Sequence, residues 1–415
     1  MASLSVWVDS RRVGEFTEQP VAEGSLFVFE YLRDATVADL VSLTMVPFGD
    51  ARRFETRVFP PPFDMILPEG DRRARIEAAR KIVPSDPFSL LSYVGANPVN
   101  RVRFLATDAA AKDPLPELPT PREIAGCASG QALFRRLINE VDLRQGIAGV
   151  QPKILGRARP YGPAKRPAKF SLDARQYRGS THILKTSTSN FPFLAVNEEL
   201  CLKVFEAAGL AIPKTTLSAD GELLLVERFD LLPEGDHLGF EEAAALMGET
   251  SQTKYQRDYG SLIESLAALV PPQQEESVRA DLTKAVILNW LLGNGDAHLK
   301  NFGVLYRDDL DVRLAPFYDC VSTLVYLPDD VPALALSFEW YSKAWWPRAK
   351  VKAFAESYGR LKPGQVEEVI EECRAAVAHG VKLARRYGRQ IPRFADLGSE
   401  MAKFWNQRVT ELAPP

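Results

Sequence analysis

The chain has 415 residues, 46% of them hydrophobic and 25% charged, and its 51 Lys and Arg against 54 Asp and Glu leave a formal charge of −3. That length predicts two or three domains on a prior of about 150 residues each, and the apolar content excludes a disordered or fibrous chain. A near-neutral balance gives no global basic field, which excludes nucleic acid as the principal ligand; any DNA contact would be local or borrowed from a partner.

Cys127, Cys201, Cys320 and Cys373 form no C-x-x-C pair, as expected in a reducing cytosol without a structural disulfide or zinc. The start, MASLSVWVDSRRVGEF, lacks a basic-then-apolar leader, and no apolar run approaches ~18 residues. The expectation is a cytoplasmic chain that does not enter a membrane. Residues 1–106 read as a small β-rich module: LSVWV and DSRRVGEF form a hairpin, SLFVFEYL a further strand, and RRFETRVFPPPF leads into a proline-rich turn. After the LPEG turn at 67–70, DRRARIEAARKIV has helical spacing that Pro84 ends. No convergent titratable groups appear here, so the module reads as packing or docking. Residues 107–123, TDAAAKDPLPELPTPRE, have the composition of a linker.

A smaller lobe is expected over 124–230. A helix, ASGQALFRRLINEVDL, precedes RQGIAGVQPKILGR, where Gly146 and Gly149 interrupt a segment that resumes as a strand at Lys153. Such glycines are more often an ordinary turn than a loop whose N–H groups approach phosphate oxygens. The basic, proline-broken stretch with Arg157, Arg159, Lys165, Arg166 and Lys169 fits a solvated flap or an anion contact. In THILKTS, Lys185 alternates with Leu184 along a strand, either exposed or turned toward phosphates. The helix AVNEELCLKVFEAAG ends at Gly209; at about 100° per residue Glu198 falls within about 20° of Phe205, at the edge of the apolar face, while Glu199 is expected on the water side near Lys203. Glu198 is therefore the candidate partner of Lys185, or else one more boundary carboxylate. A hairpin turning at 219–221 leads to the apolar strand 223–226, and Glu227, Arg228 and Phe229 fall where a kinase's smaller lobe joins its larger one.

From 231 to the end the chain reads as mainly helical, with the aromatic SFEWYSKAWWP expected in the core. The apolar helix AVILNWLL runs into GNGDAHLKN, where Asp296 and Asn301 have the D-x-x-x-x-N spacing of a kinase catalytic loop. The same hexad fits a polar turn capping a helix. FGVLY, DDLD and VRLAPFYD read as a hairpin that returns Asp319 to the loop. One carboxylate to accept a hydroxyl proton, with an Asn oxygen and a second carboxylate to hold Mg²⁺ against phosphates, is what phosphoryl transfer requires.

LPEG, GVQPK, HILK, NEE, VERFD, DAHLKNF and YDCVST occur in an order that resembles the HipA family of bacterial toxin kinases over nearly the whole chain. The resemblance implies an α+β, two-lobed protein-kinase-like fold with the β-rich N-terminal module and a mainly helical C-terminal lobe at 231–415. It also implies transfer of the ATP γ-phosphate to a serine or threonine of a protein, with aminoacyl-tRNA synthetases as targets and a helix-turn-helix antitoxin as partner. By position, Asp296 becomes the base, Asn301 and Asp319 the Mg²⁺ ligands, and Lys185 the phosphate-holding lysine supported by Glu198. Ala148, Gly149, Val150, Gln151, Pro152 and Lys153 would cover the phosphates; Glu227, Arg228 and Phe229 would bind adenine; His298, Lys300 and Tyr318 would line the nucleotide. Gly146 stands where many members carry an autophosphorylated serine, and no hydroxyl residue lies between Gln145 and Lys153. A co-repressor with retired chemistry and a kinase acting on a small molecule or lipid are the alternatives.

Overall fold

The computed structural model describes residues 2–47, 49, 51–106, 116–140, 145–146, 151–158, 180–232, 236–327, 334–338 and 346–413. The β-branched and aromatic residues of the first hundred positions build an antiparallel five-stranded sheet in the order Arg53–Thr56, Ser25–Tyr31, Arg11–Pro20, Ala2–Val8, Val102–Leu105. Its inner face carries Phe16, which packs edge-on against Phe63 at 4.8 Å and beside Phe88 at 5.2 Å, so two short helices, Pro61–Asp64 and Pro87–Val94, close over the sheet. The LPEG turn leads into the helix Gly70–Arg80, anchored by the fully buried Ile76.

The smaller lobe is a five-stranded sheet ordered Thr215–Leu217, Leu223–Glu227, His182–Thr186, Lys153–Ala158, Glu117–Leu118. Part of the stretch expected as linker is thus built in: Glu117–Leu118 pairs in parallel with Arg157 and Ala158, and Leu118 is buried. An apolar leucine in a Pro-rich stretch found a sheet edge, which composition alone did not reveal. The helix Leu194–Ala207 packs behind this sheet with ten of its fourteen residues buried. Glu199 is buried too, contrary to the expected water side: it accepts from the Thr215 hydroxyl at 2.5 Å, and Lys203 pairs instead with Glu206 at 2.9 Å. The helix has protein on both sides, so its polar stripe is not a solvent stripe.

The larger lobe is organised on the helix Pro272–Leu292, flanked by Tyr259–Ala267 and by the antiparallel pair Pro363–Gln390 and Ala395–Glu411. The expected hairpin is present as Gly303–Tyr306 and Val312–Leu314, and Gly239–Glu242 joins it as a third antiparallel strand. Trp346 is core as expected, while Trp340 and Trp345 lie outside the described residues. The central helix stops at Gly293, whose φ of +68° is left-handed, and Asn294 N–H then bonds back to Asn289 C=O at 2.8 Å. A Cβ at Gly293 would lie 2.6 Å from the Phe404 ring. Gly293→Ala should therefore lower stability by about 1–3 kcal/mol, from backbone strain plus the clash, read as a shifted denaturant midpoint at unchanged slope.

Candidate active site

Strand register sets the first two groups of the site. Lys185 lies directly opposite Lys153 on the neighbouring antiparallel strand, so both side chains leave the same face of the smaller-lobe sheet. Lys185 is buried, and its Nζ donates to Glu198 Oε1 at 2.5 Å and, on its other side, to Asp319 Oδ1. The partner chosen from helix geometry is thus the partner found. Burial alone would lower the Lys185 ammonium, but the facing carboxylates outweigh it and hold it above the usual lysine range. Burial, joined by the neighbouring Lys185 ammonium, pushes Lys153 down against the attraction of Asp319. At Asp319 burial is opposed by Lys185 and Lys153, and the two ammoniums hold the carboxyl well below its usual range.

Asp319 is delivered by backbone and by one amide. Its φ is +52°, a left-handed turn at the end of LAPFYD. The following Ser322 is gripped by Asn197 of the Leu194–Ala207 helix, whose Oδ1 accepts from Ser322 N–H at 2.7 Å and whose Nδ2 donates to Ser322 C=O at 2.9 Å. Ser322 Oγ then donates to Leu292 C=O at 2.5 Å, and Thr323 Oγ1 accepts from Gly295 N–H at 2.8 Å. One helix therefore fixes Glu198 and Asp319 together, and the returning strand is stitched to the loop that carries Asp296.

In that loop Ala297, His298, Leu299 and Lys300 are buried while Asp296 is exposed, which is the disposition of a carboxylate that must meet an incoming group. Its Oδ1 accepts from the Tyr255 hydroxyl at 2.5 Å, and the Tyr255 ring stands edge-on to His298 at 5.0 Å. Burial pushes the His298 imidazole down to about 4, so it is neutral near pH 7. Asn301 Oδ1 accepts from His298 N–H at 3.0 Å, fixing the turn. Lys300, expected at the nucleotide, is directed to Glu69 of the N-terminal module at 2.7 Å, with Glu242 at 3.7 Å. Tyr318 donates to Lys300 C=O at 2.6 Å, and its ring packs near Phe229 at 5.8 Å.

The other expected residues divide. Gln151 Nε2 donates to Thr186 C=O at 3.2 Å, and Pro152 C=O accepts from Thr186 N–H at 3.2 Å, so both hold the strand that carries Lys185. Glu227 ends its strand beside Lys214 at 3.6 Å. Arg228 is buried, bonded to Asp230, Ser180 and Val99 C=O, which makes it a tie between modules. Ala148, Gly149, Val150 and the basic stretch from Arg159 to Lys169 lie outside the described residues. Glu69, Asn197, Lys254, Tyr255 and Glu242 were not singled out from sequence: each acts on a residue far away in the chain, and no local spacing marks it.

Among the described residues no group of three or more His, Cys, Asp or Glu is disposed to hold a metal. Asn301 and Asp319 supply two hard oxygen donors, which fits Mg²⁺, an ion that commonly takes one or two protein ligands and completes its shell with water and substrate phosphates.

A sequence model described as the HipA-like C-terminal domain matches residues 145–381, and one described as the HipA N-terminal domain matches 4–105. The chain belongs to the HipA family. "Putative kinase Y4mE" of Sinorhizobium fredii is 31% identical over 351 residues, 80% of each chain. The serine/threonine-protein kinase toxin HipA of Shewanella oneidensis is 22% identical over 282 residues, 63% of this chain and 62% of that one. A Shewanella oneidensis HipA solved with HipB and operator DNA superposes with a TM-score of 0.66 at 19% identity, covering 99% of this chain and 96% of that one. This HipA-family chain thus has the two-lobed kinase-like α+β fold. Among the described residues no helix is long and apolar enough to cross a membrane.

Glu242 gives the site a pH signature. Burial first, then Glu69 and Asp319 against the opposing Lys300, leave its carboxyl raised to about 7, with Oε2 accepting no hydrogen bond among the described residues. A raised folded value means stability that is complete below the unfolded value of about 4.5 and is lost as pH rises through about 7. Glu242→Gln should remove this loss, so its stability relative to wild type should increase between pH 5 and 8, by on the order of 2 kcal/mol in denaturant titrations.

Proposed function

We propose that this chain is an ATP-dependent serine/threonine-protein kinase toxin, acting in the cytoplasm on an aminoacyl-tRNA synthetase and so inhibiting translation and growth. The observation that carries this reading is the buried Lys185 held between Glu198 and Asp319. Lys185 and Lys153 put two ammoniums on one sheet face, where triphosphate oxygens would meet them. Ala148 to Lys153 would cover those phosphates, and Glu227 to Phe229 would border the adenine.

The acceptor hydroxyl oxygen would attack the γ-phosphorus as the bond to the β,γ-bridging oxygen breaks; ADP leaves and the hydroxyl proton passes to Asp296. Asp296 is exposed, and the hydrogen bond it accepts from the Tyr255 hydroxyl supports an acceptor hydroxyl at that oxygen. Asn301 and Asp319 would hold Mg²⁺, which neutralises phosphate charge when bound. In this reading 1–106 is the module that meets a helix-turn-helix antitoxin, 107–123 the linker with its end drawn into the sheet, 124–230 the ATP-binding lobe and 231–415 the catalytic lobe. The antitoxin is supported by the HipB present in the solved Shewanella complex, and the charge of −3 fits DNA contact through that partner alone. With Gly146 in place of a loop serine, restraint would come from the antitoxin or from modification outside 145–153.

The test is transfer of labelled γ-phosphate from Mg-ATP to purified aminoacyl-tRNA synthetases, with and without tRNA. Wild type should label one of them, and Asp296→Asn should lower the rate by roughly 10²–10⁴-fold. Absence of labelling by a wild-type chain that binds ATP would overturn the reading in favour of a co-repressor.

A further inference from the structure

Among the described residues, Glu69 of the N-terminal module bonds the catalytic loop directly. Glu69 leaves the LPEG turn, where Gly70 has a φ of +55°, and its two oxygens are divided between two lysines of the larger lobe: Oε1 accepts from Lys300 Nζ and Oε2 from Lys254 Nζ, each at 2.7 Å. All three groups are shielded, with side-chain exposures of 13%, 5% and 11% for Glu69, Lys300 and Lys254. Each lysine sits one step from the base. Lys300 belongs to the Asp296 loop itself, and Lys254 precedes Tyr255, whose hydroxyl donates to Asp296. The two segments also meet directly, since Leu299 N–H donates to Lys254 C=O at 3.3 Å and the Tyr259 hydroxyl donates to Ala297 C=O at 3.0 Å.

Docking of the module does not depend on this contact. Glu241 accepts from Ser42 Oγ at 2.6 Å and from Leu43 N–H at 2.9 Å, Asp64 accepts from Ser251 N–H at 2.6 Å, and His237 bonds Asp9 at 2.7 Å. Without Glu69 the two ammoniums would repel each other, Glu242 at 3.7 Å offsetting Lys300 but not bridging it to Lys254, and the loop and the Tyr255 segment would loosen. Lys300 and Lys254 hold the Glu69 carboxyl, despite its burial, down at about 2, so the anion persists at every physiological pH.

We propose that Glu69 is a positioning residue for the Asp296 base: by neutralising Lys300 and Lys254 together, the N-terminal module sets the geometry of the catalytic loop. For its effect on turnover the inference rests on the kinase reading above; its structural content does not. Glu69→Gln keeps the volume and removes the charge, and Lys254→Met removes one arm from the other side of the seam.

Hydrogen exchange on the full chain decides the structural content. Both variants should speed exchange about 10-fold or more at amides of 294–301 and 250–256, while Ala2–Val8 and Arg11–Pro20 keep wild-type protection. Unchanged loop exchange, or equal acceleration in the module's own strands, would overturn the proposal. In phosphoryl transfer, kcat should fall about 10–100-fold with KM for ATP within about 3-fold of wild type, as expected for a misplaced base. Wild-type kcat in both variants would overturn the catalytic consequence. A wild-type chain that transfers nothing would instead count against the kinase reading, with the exchange result still deciding the role of Glu69.

Discussion

Lys185 sits where water cannot stabilise it, so its charge exists only because two carboxylates are brought to it from different parts of the chain. Removing either partner would leave a buried ion partly uncompensated, a loss of several kcal/mol in comparable sites. That requirement propagates outward. Glu198 must be placed by a helix packed on both sides; Asp319 must turn through a left-handed residue; and Asn197 must clamp Ser322 so that the turn stays where the helix is. The smaller-lobe sheet, the central helix and the returning strand are held in one arrangement by this demand.

In the proposed reading this arrangement receives anions. Asp319 and Glu198 satisfy Lys185, and Lys153 leaves the same sheet face with its ammonium destabilised by burial. Phosphate oxygens entering there would relieve Lys153 and compete with Asp319 for Lys185, freeing the aspartate for a cation. In the proposed reading an acceptor hydroxyl would likewise replace that of Tyr255 at Asp296.

Local pattern made much of this legible in the sequence. Period-two alternation located the strands of the first sheet, helical spacing placed Glu198 within reach of Lys185, and the D-x-x-x-x-N run marked the exposed carboxylate on its buried loop. What failed to show was whatever depends on distant chain. Glu199 looked solvent-facing because its helix was read alone, and 107–123 looked like linker because Leu118 finds its neighbours only in the folded sheet. Glu69 and Lys300 are 231 residues apart, and no spacing rule joins them. The side chains of Arg228 and Lys300 also bond across the chain in ways motif position does not reveal, the first to Val99 C=O and the second to Glu69.

The central claim is that Lys185 and Asp319 form a phosphate and cation site, and calorimetric titration of ATP with and without Mg²⁺ tests it most directly. Wild type should bind ATP at least about 10-fold more tightly with Mg²⁺, Asp319→Asn should lose that dependence, and Lys185→Met should weaken binding under both conditions by about 10–100-fold. Equal affinity in wild type and Lys185→Met, with the fold intact, would contradict the account.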